Sequence, residues 1–240
     1  MTLRIGAALK SGGYRLASRT GALLTVGYLV LYVVYQTGFN VLMNALYARA
    51  EMAVQIPAPV ALSLPVAATV VVGSLLALTV LSVVAIRTFV ADERDAIPRE
   101  FWTEGLGWAV LNLFVGGLVT TVLLTVGFAL LIVPGVFLLV GLVFMAMYVA
   151  VDGDNFVTAM RRSWALARGN RLSILGLVLV VASLGFAVGI GFSVMNLAAS
   201  LAGFGVVTPL LAAVLVAPMT MFNVATVAAA FDQLRSQPTR

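Results

Sequence analysis

Long apolar blocks without charge constrain this sequence more than any other feature. Six blocks are close to the roughly 20 residues that a helix needs to cross a bilayer. They cover residues 21–47, 60–86, 106–133, 136–151, 172–198 and 205–231. Of the 240 residues, 62% are apolar and only 10% are charged, whereas about a quarter are charged in soluble domains. The sequence therefore predicts an all-α, polytopic membrane protein with six transmembrane helices arranged as three hairpins.

The distribution of Lys and Arg predicts the orientation of these helices. Of the 14 basic residues, 13 lie before the first block, between the second and third, between the fourth and fifth, or after the sixth. Only Arg49 lies on the opposite side. Because basic residues accumulate in cytoplasmic loops, both termini are expected in the cytoplasm and the protein in the cell membrane. Residues 48–50 have the small-x-small pattern of a signal-peptide cleavage site, but the preceding apolar stretch exceeds the usual core of about 7–15 residues.

The domain organisation follows from the blocks and the charges between them. Residues 1–19 are expected to form an N-terminal cytoplasmic amphipathic helix, and residues 20–232 the six-helix transmembrane domain. Within that domain, residues 153–170 are expected to form a cytoplasmic interfacial helix, and residues 233–240, which follow the domain, a cytoplasmic tail. Segments 10–20 and 161–170 share an order of aromatic, Leu, Ala and polar residues at the same spacing. This similarity suggests a three-hairpin pseudo-repeat.

Both amphipathic segments present arginines beside an apolar stripe. In the second segment, Asp154 is expected to be the N-cap of the helix, and Gly169 is expected to close its C-terminal end. Arginines on such helices can contact anionic lipid headgroups, each contributing on the order of 1 kcal/mol. The alternative is that the helices only anchor the bundle. The headgroup candidates are Arg15, Arg19, Arg161, Arg162, Arg168 and Arg171.

A break is expected between the third and fourth blocks, at Pro134 and Gly135. Proline cannot donate a backbone hydrogen bond, and irregular backbone at membrane depth needs protein or water around it. We therefore expect neighbouring helices to shield this break. A plain turn at the outer surface is the alternative.

Polar amides recur on one face of the first block. Gln36, Asn40 and Asn44 are four residues apart, and Asn196 is expected at a similar depth in the fifth block. Residues at this spacing share a helix face, and amides exposed to hydrocarbon would lack hydrogen-bond partners. We expect them to turn inward, either to hold helices together or to line a wet outer cavity.

The stretch 131–171 resembles the membrane domain of glycerophosphodiester phosphodiesterases and related uncharacterised prokaryotic membrane proteins. The resemblance is carried by Pro134 and Gly135, a following apolar span, and an amphipathic helix with Arg162-Ser163-Trp164 and Arg168-Gly169-Asn170. Gly141 stands where the pattern often has a basic residue. The resemblance implies an accessory or stand-alone membrane module and transfers no active site, because those enzymes carry their catalytic residues in a separate soluble domain.

Residue content leaves little room for catalysis. The chain has no Cys and no His, which removes thiolates, imidazole bases and most zinc sites. No ionisable residue lies deep in a block, where charge usually marks function. Close carboxylates such as Asp92, Glu93 and Asp95 are typical of a solvated loop. The sequence therefore predicts no catalytic residue, no metal and no cofactor, and the basic residues do not indicate nucleic acid because they lie between apolar blocks.

Three functions remain compatible with the sequence. The first is a non-enzymatic membrane module that scaffolds, senses or associates with lipids, preferentially anionic ones, and with a possible protein partner in the membrane. The second is a transporter or channel for a small neutral or hydrophobic solute. The third is a membrane subunit of an enzyme whose catalytic residues lie in another chain.

Overall fold

The computed structural model describes residues 3–58, 60–203 and 208–236. All regular secondary structure in these ranges is helical and none of it is strand, which confirms the all-α prediction. The helices are α1 Ile5–Leu16, α2 Arg19–Arg49, α3 Leu64–Val90, α4 Glu100–Thr103, α5 Leu106–Leu130, α6 Ile132–Leu142, α7 Met145–Asp152, α8 Phe156–Ala167, α9 Arg171–Leu201 and α10 Thr208–Arg235.

Six segments in the described ranges are long and apolar enough to cross a membrane. They are α2, α3, α5, the pair α6 and α7 taken together as Ile132–Asp152, α9 and α10. A helix satisfies its backbone hydrogen bonds internally, which hydrocarbon demands of any spanning segment. The six-helix prediction is confirmed. The predicted start of the sixth span at residue 205, and residues 237–240 of the predicted tail, lie outside the described residues.

The chain forms two compact units. The first contains the residues up to Leu24, Thr79–Ser183 and the residues from Met221 onward. Its core is aromatic, since Phe89, Phe144 and Phe231 are fully buried. The ring of Phe231 lies 5.9 Å from that of Phe144 and 5.0 Å, edge to face, from that of Tyr148. Such edge-to-face contacts add specificity to apolar packing.

The second unit consists of Thr25–Leu78 and Leu184–Thr220. Here α2 and α3 approach closely at Gly38, where a β-carbon would lie 3.0 Å from the carbonyl oxygen of Ala67. Small residues permit this kind of approach between membrane helices. Residues 52–58 run without helix before α3 begins at Leu64, four residues later than the predicted start at 60.

The turn between α5 and α6 differs from the prediction. The chain leaves the helix at Leu131, which is extended, and Pro134 and Gly135 already belong to α6. Proline fits there because the first turn of a helix has backbone N–H groups without helical partners. Gly135 is required for another reason, since a β-carbon would lie 2.5 Å from Cδ1 of Phe128. The expected shielding is only partial within the described chain, because Gly135 is buried whereas Ile132 at the turn is 73% exposed.

Candidate functional site

A cluster of arginines and aspartates joins four parts of the first unit. We call it the charged cluster; it consists of two ion-pair networks, one of Arg15, Asp92, Arg94 and Asp232 and the other of Asp152, Asp154, Arg162 and Arg235. Its members come from α1, the connection after α3, the segment from α7 to α8, and α10. The first network therefore joins α1 to α10 and to the connection after α3, and the second joins α8 to the end of α7 and to α10.

Arg15 is the buried member of the charged cluster. Only 7% of the residue is exposed, and its guanidinium donates to Asp92 at 3.1 Å and to Asp232 at 2.9 Å. An arginine out of water requires such paired acceptors. This corrects the headgroup role expected for Arg15, because its charge faces two carboxylates of its own chain.

Small residues let α1 lie against the long helices. Its buried residues are Ala8, Gly12 and Arg15, at the spacing of one helix face. A β-carbon on Gly12 would lie 2.9 Å from the Cα of Thr226 in α10. The side chain of Ile5 covers Gly176 of α9 in the same way. The position of Arg15 on the packed face follows from this docking.

Asp92 is held between two arginines in an uncommon backbone conformation. Its φ is +54°, a left-handed region that Asp tolerates better than most residues. Partial burial acts to raise the pKa of Asp92, but hydrogen bonds and charges from Arg94 and Arg15 outweigh it, and the pKa falls below its ordinary 3.8. Arg94 donates to both carboxylate oxygens, at 3.1 and 2.9 Å. Asp92 thus stays ionised opposite Arg15.

Arg162 is the corresponding residue of α8. It forms ion pairs with Asp152 at 2.8 Å and with Asp154 at 2.6 Å, and it lies 4.3 Å above the ring of Tyr148. Burial acts to lower its pKa, yet the hydrogen bond to Asp154 and the two negative charges raise it overall. Arg235 from α10 takes the other oxygen of Asp152 at 2.9 Å. Arg162 is therefore committed to carboxylates, like Arg15.

Ser163 closes a second helix break that the sequence did not reveal. The path from α6 to α7 is interrupted at Val143 and Phe144. The hydroxyl of Ser163 donates to the carbonyl of Gly141 at 2.7 Å and accepts the N–H of Phe144 at 3.1 Å. Both backbone groups would otherwise lack partners in a buried place. The Arg-Ser-Trp motif was visible in the sequence, but nothing there indicated which break its serine would satisfy.

Two asparagines fix the start of α8. Asn155 is the N-cap, since its side chain accepts the N–H of Thr158 at 2.9 Å. Asn112 of α5 accepts the N–H of Phe156 at 3.1 Å. The prediction of Asp154 as the N-cap is wrong, because its carboxylate pairs with Arg162 instead. Free N–H groups at a helix start are commonly satisfied in this way.

Trp164 explains why Gly141 has no side chain. A β-carbon on Gly141 would overlap the indole ring of Trp164. The ring also lies edge to face with Phe137, at 5.0 Å. Arg171 covers this pair, with its guanidinium 4.2 Å from the Phe137 ring centre and 5.2 Å from that of Trp164. Arg171, another headgroup candidate, thus packs on aromatic faces, an arrangement worth about 0.5–1 kcal/mol at exposed sites.

The remaining headgroup candidates differ from these. Arg19, Arg161 and Arg168 are exposed, and no ion pair involves them within the described ranges. Arg161 and Arg168 lie on α8 and at its C-cap, seven residues apart and thus on one side of the helix. Their charges are available to a ligand outside the chain.

Comparison with known proteins adds a family. The family model described as "Domain of unknown function (DUF7847)" matches residues 3–234. The chain belongs to DUF7847. No curated protein and no solved structure matches the chain. The expected membrane domain of glycerophosphodiester phosphodiesterases is replaced by this family, since nothing found links the two.

The polar amides of the second unit of this DUF7847 chain hold its irregular segment. Asn40 is buried and donates to the carbonyl of Pro57 at 2.9 Å. Asn44 exchanges two hydrogen bonds with the backbone of Ile56, at 2.8 and 2.7 Å. Gln36 and Asn196 are half-buried. The amides of Asn40 and Asn44 therefore bond to backbone, and Asn44 also lines a cavity of about 580 Å³ together with residues 48 and 52–55.

Carboxylates are the remaining candidate metal ligands of the DUF7847 chain, which contains no His and no Cys. The described ranges hold no group of three or more Asp or Glu side chains placed to bind a metal ion. Four carboxylates that the sequence leaves available, Asp92, Asp152, Asp154 and Asp232, are instead paired with arginines. The chemistry of the charged cluster is ion pairing.

Proposed function

We propose that this DUF7847 chain is a non-enzymatic, lipid-associated membrane module of the cell membrane. In this proposal the charged cluster lies on the cytoplasmic side and both termini are cytoplasmic. The cluster holds α8 against the ends of the long helices so that Arg161 and Arg168 rest on anionic headgroups. The protein acts through this lipid contact, as a scaffold or sensor, together with any partner in the membrane.

One observation carries the proposal: the arginines of α8 divide into paired and unpaired residues. Arg162 is occupied by Asp152 and Asp154, whereas Arg161 and Arg168 are exposed with no carboxylate of the described chain beside them. Arginine on an interfacial helix is attracted to anionic lipid, at about 1 kcal/mol for each residue. The internal pairs would then position the helix, and the free arginines would contact the lipid.

The orientation assigned here is supported by the sequence. Thirteen of the 14 basic residues lie on one side of the six-helix arrangement. Basic residues accumulate in cytoplasmic loops. Anionic lipids give the cytoplasmic leaflet a negative surface potential. The positive charges of Arg161 and Arg168 would therefore lie next to the negatively charged headgroups of that leaflet.

The absence of catalysis in this proposal is supported by how the ionisable groups are used. The chain offers no Cys or His, and the aspartates of the charged cluster face arginines at 2.6–3.1 Å. A general acid or base needs a carboxyl group free to exchange a proton near neutral pH.

The test measures anionic lipid kept by the purified protein. Protein in bilayers of equal parts phosphatidylglycerol and phosphatidylethanolamine is extracted in mild detergent, and bound lipid is counted by native mass spectrometry. Changing Arg161 and Arg168 together to Gln should reduce retained phosphatidylglycerol about thirtyfold, because about 2 kcal/mol of attraction is lost.

The matched control removes two charges elsewhere. Arg49 and Arg99 are both exposed and form no ion pair in the described ranges. Changing both to Gln lowers the net charge equally and should leave phosphatidylglycerol retention near that of the wild type. Equal retention by all three proteins would refute the proposal.

A further inference from the structure

A cavity of about 510 Å³ in the first unit has no role in the function proposed above. It lies between the end of α3, the α4 segment, the start of α5 and the end of α7. The residues that give it chemical character are Arg87, Glu100, Phe101, Glu104, Trp108 and Asp152. This volume is within the range of small-molecule sites, about 300–1,000 Å³.

Arg87 supplies one fixed positive group. Its Nε donates to the carbonyl of Ala150 at 2.7 Å, and its Nη1 donates to the carbonyls of Phe101 and Glu104 at 3.0 and 2.9 Å. The third nitrogen, Nη2, has no hydrogen-bond acceptor within the described ranges. Guanidinium binds phosphate well because it is planar and permanently charged. Arg87 is therefore held by three carbonyls with one nitrogen left for an acceptor.

Two carboxylates supply the opposite charge. Glu100 and Glu104 are exposed, lie one helical turn apart, and form no ion pair in the described part of the chain. Asp152 is not available in the same way, since Arg162 and Arg235 occupy both of its oxygens. The free charge in the cavity is thus one guanidinium and two carboxylates.

Aromatic rings complete the lining of the cavity and indicate its depth in the membrane. The indole N–H of Trp108 donates to the carbonyl of Gly153 at 3.1 Å, which fixes the ring, and Phe101 lines the same cavity. An ammonium group gains from an aromatic face as well as from a carboxylate. Trp102 and Trp108 are 42% and 54% exposed, as expected of tryptophans at the headgroup level of a bilayer.

We propose that this cavity binds the headgroup of a zwitterionic phospholipid. The phosphate pairs with Arg87, and the ammonium group, two carbons away, lies against Glu100, Glu104 and the Trp108 ring. A purely anionic headgroup would meet two carboxylates that form no ion pair in the described part of the chain, which disfavours it. The aromatic residues at headgroup depth favour a membrane lipid over a water-soluble ligand. The inference goes beyond the proposed function and does not depend on α8.

The test uses the same lipid-retention measurement with different variants. The wild type should keep one phosphatidylethanolamine in preference to phosphatidylglycerol through detergent washing. Changing Glu100 and Glu104 together to Gln should reduce that preference about tenfold, because charge-assisted contacts to the ammonium group are lost. Both side chains are exposed and pair with no charged residue of the described ranges, so folding should be preserved, as a thermal melt will show.

The control changes Glu93 to Gln and Asp95 to Asn. These carboxylates are exposed and do not line the cavity, so the variant has the same net charge and should retain phosphatidylethanolamine normally. An equal loss in the control, or a preference for phosphatidylglycerol in the protein with Arg161 and Arg168 changed to Gln, would overturn the proposal. So would displacement of the lipid by micromolar phosphoethanolamine, which would assign the cavity to a soluble ligand.

The two lipid proposals fail separately. Loss of Arg161 and Arg168 should reduce retained phosphatidylglycerol and leave the tightly held phosphatidylethanolamine unchanged. Loss of Glu100 and Glu104 should reduce retained phosphatidylethanolamine and leave phosphatidylglycerol unchanged. If both pairs of substitutions reduced both lipids in parallel, the cavity would have no headgroup preference of its own and the inference would be refuted.

Discussion

The amphipathic helices α1 and α8 resemble each other in sequence but use their arginines differently. In α1, Arg15 is on the packed face and is buried between two aspartates from distant parts of the chain. In α8, Arg162 pairs with aspartates eight and ten residues earlier, and Arg161 and Arg168 remain exposed. An amphipathic pattern shows which residues are polar, but the partner of each arginine depends on acids that only the fold brings near.

The strongest test of this difference is the replacement of Arg15 by Met. Breaking a buried ion pair costs about 3–5 kcal/mol, but Asp92 and Asp232 retain side-chain exposures of 42% and 37%. We therefore expect a loss of about 2–3 kcal/mol in the free energy of unfolding, measured by titration with SDS in mixed micelles. Arg19→Met is the control, since Arg19 is exposed and outside the charged cluster. Equal losses in both variants would show that the ion pairs of Arg15 do not stabilise the fold.

The packing of α8 can be tested at Gly141. An added methyl would overlap the Trp164 ring, and overpacking costs about 1–3 kcal/mol. Gly141→Ala should therefore lower stability by about 2 kcal/mol in the same titration. Gly189→Ala has open space around its new methyl and should cause no loss. If Gly141→Ala were as stable as the control, α8 would not be held through Trp164.

The hydrogen bonds of Ser163 should contribute less. Ser163→Ala removes the partners of Phe144 N–H and Gly141 carbonyl, and we expect a loss of about 1 kcal/mol. Ser193→Ala deletes an exposed hydroxyl that bonds only within its own helix and should change stability by less than about 0.5 kcal/mol. A Ser163→Ala variant no less stable than Ser193→Ala would mean that the break between α6 and α7 does not need the hydroxyl.

Acid should loosen α1 through Asp92. Because the folded pKa of Asp92 lies below 3.8, its ionised form stabilises the docked helix above that pH, and the contribution is lost as pH falls through the lowered pKa. Hydrogen exchange of residues 5–16, corrected for intrinsic rates, should therefore accelerate below about pH 3.8. Asp92→Asn should show faster exchange already at neutral pH and no further acid step assignable to this group; an acid step of the same size in that variant would exclude Asp92 as its source.

The sequence predicted the membrane-spanning architecture because length and apolarity decide it. Six blocks near the thickness of a bilayer leave few alternatives, and the helices begin and end within a few residues of the predicted spans where both are described. Local features were less predictable. Pro134 marked the turn after α5, but Leu131 is where the helix ends, since proline is compatible with the first turn of the next helix.

The candidate site was only partly predictable. Arginines on α1 and α8 could be identified as interfacial, yet the burial of Arg15 depends on Asp232, which is 217 residues away. The pairing of Arg162 with Asp154 is closer in sequence, but Asp154 was also a good N-cap candidate, and only the observed cap at Asn155 distinguishes the two. Asn40 and Asn44 were expected to turn inward, but their partners, Pro57 and Ile56, belong to a segment without periodicity.

Cysteine labelling in intact cells tests the central claim that the charged cluster and α8 face the cytoplasm. The chain contains no Cys, so single cysteines can be placed at Ala17, Ala165 and Ala53, all exposed. Ser163 is unsuitable because it is buried and would resist labelling on either side. With a membrane-impermeant maleimide added outside, cysteine at Ala53 should react, while those at Ala17 and Ala165 should react only after the cells are permeabilised. Labelling of Ala165 in intact cells would contradict the account.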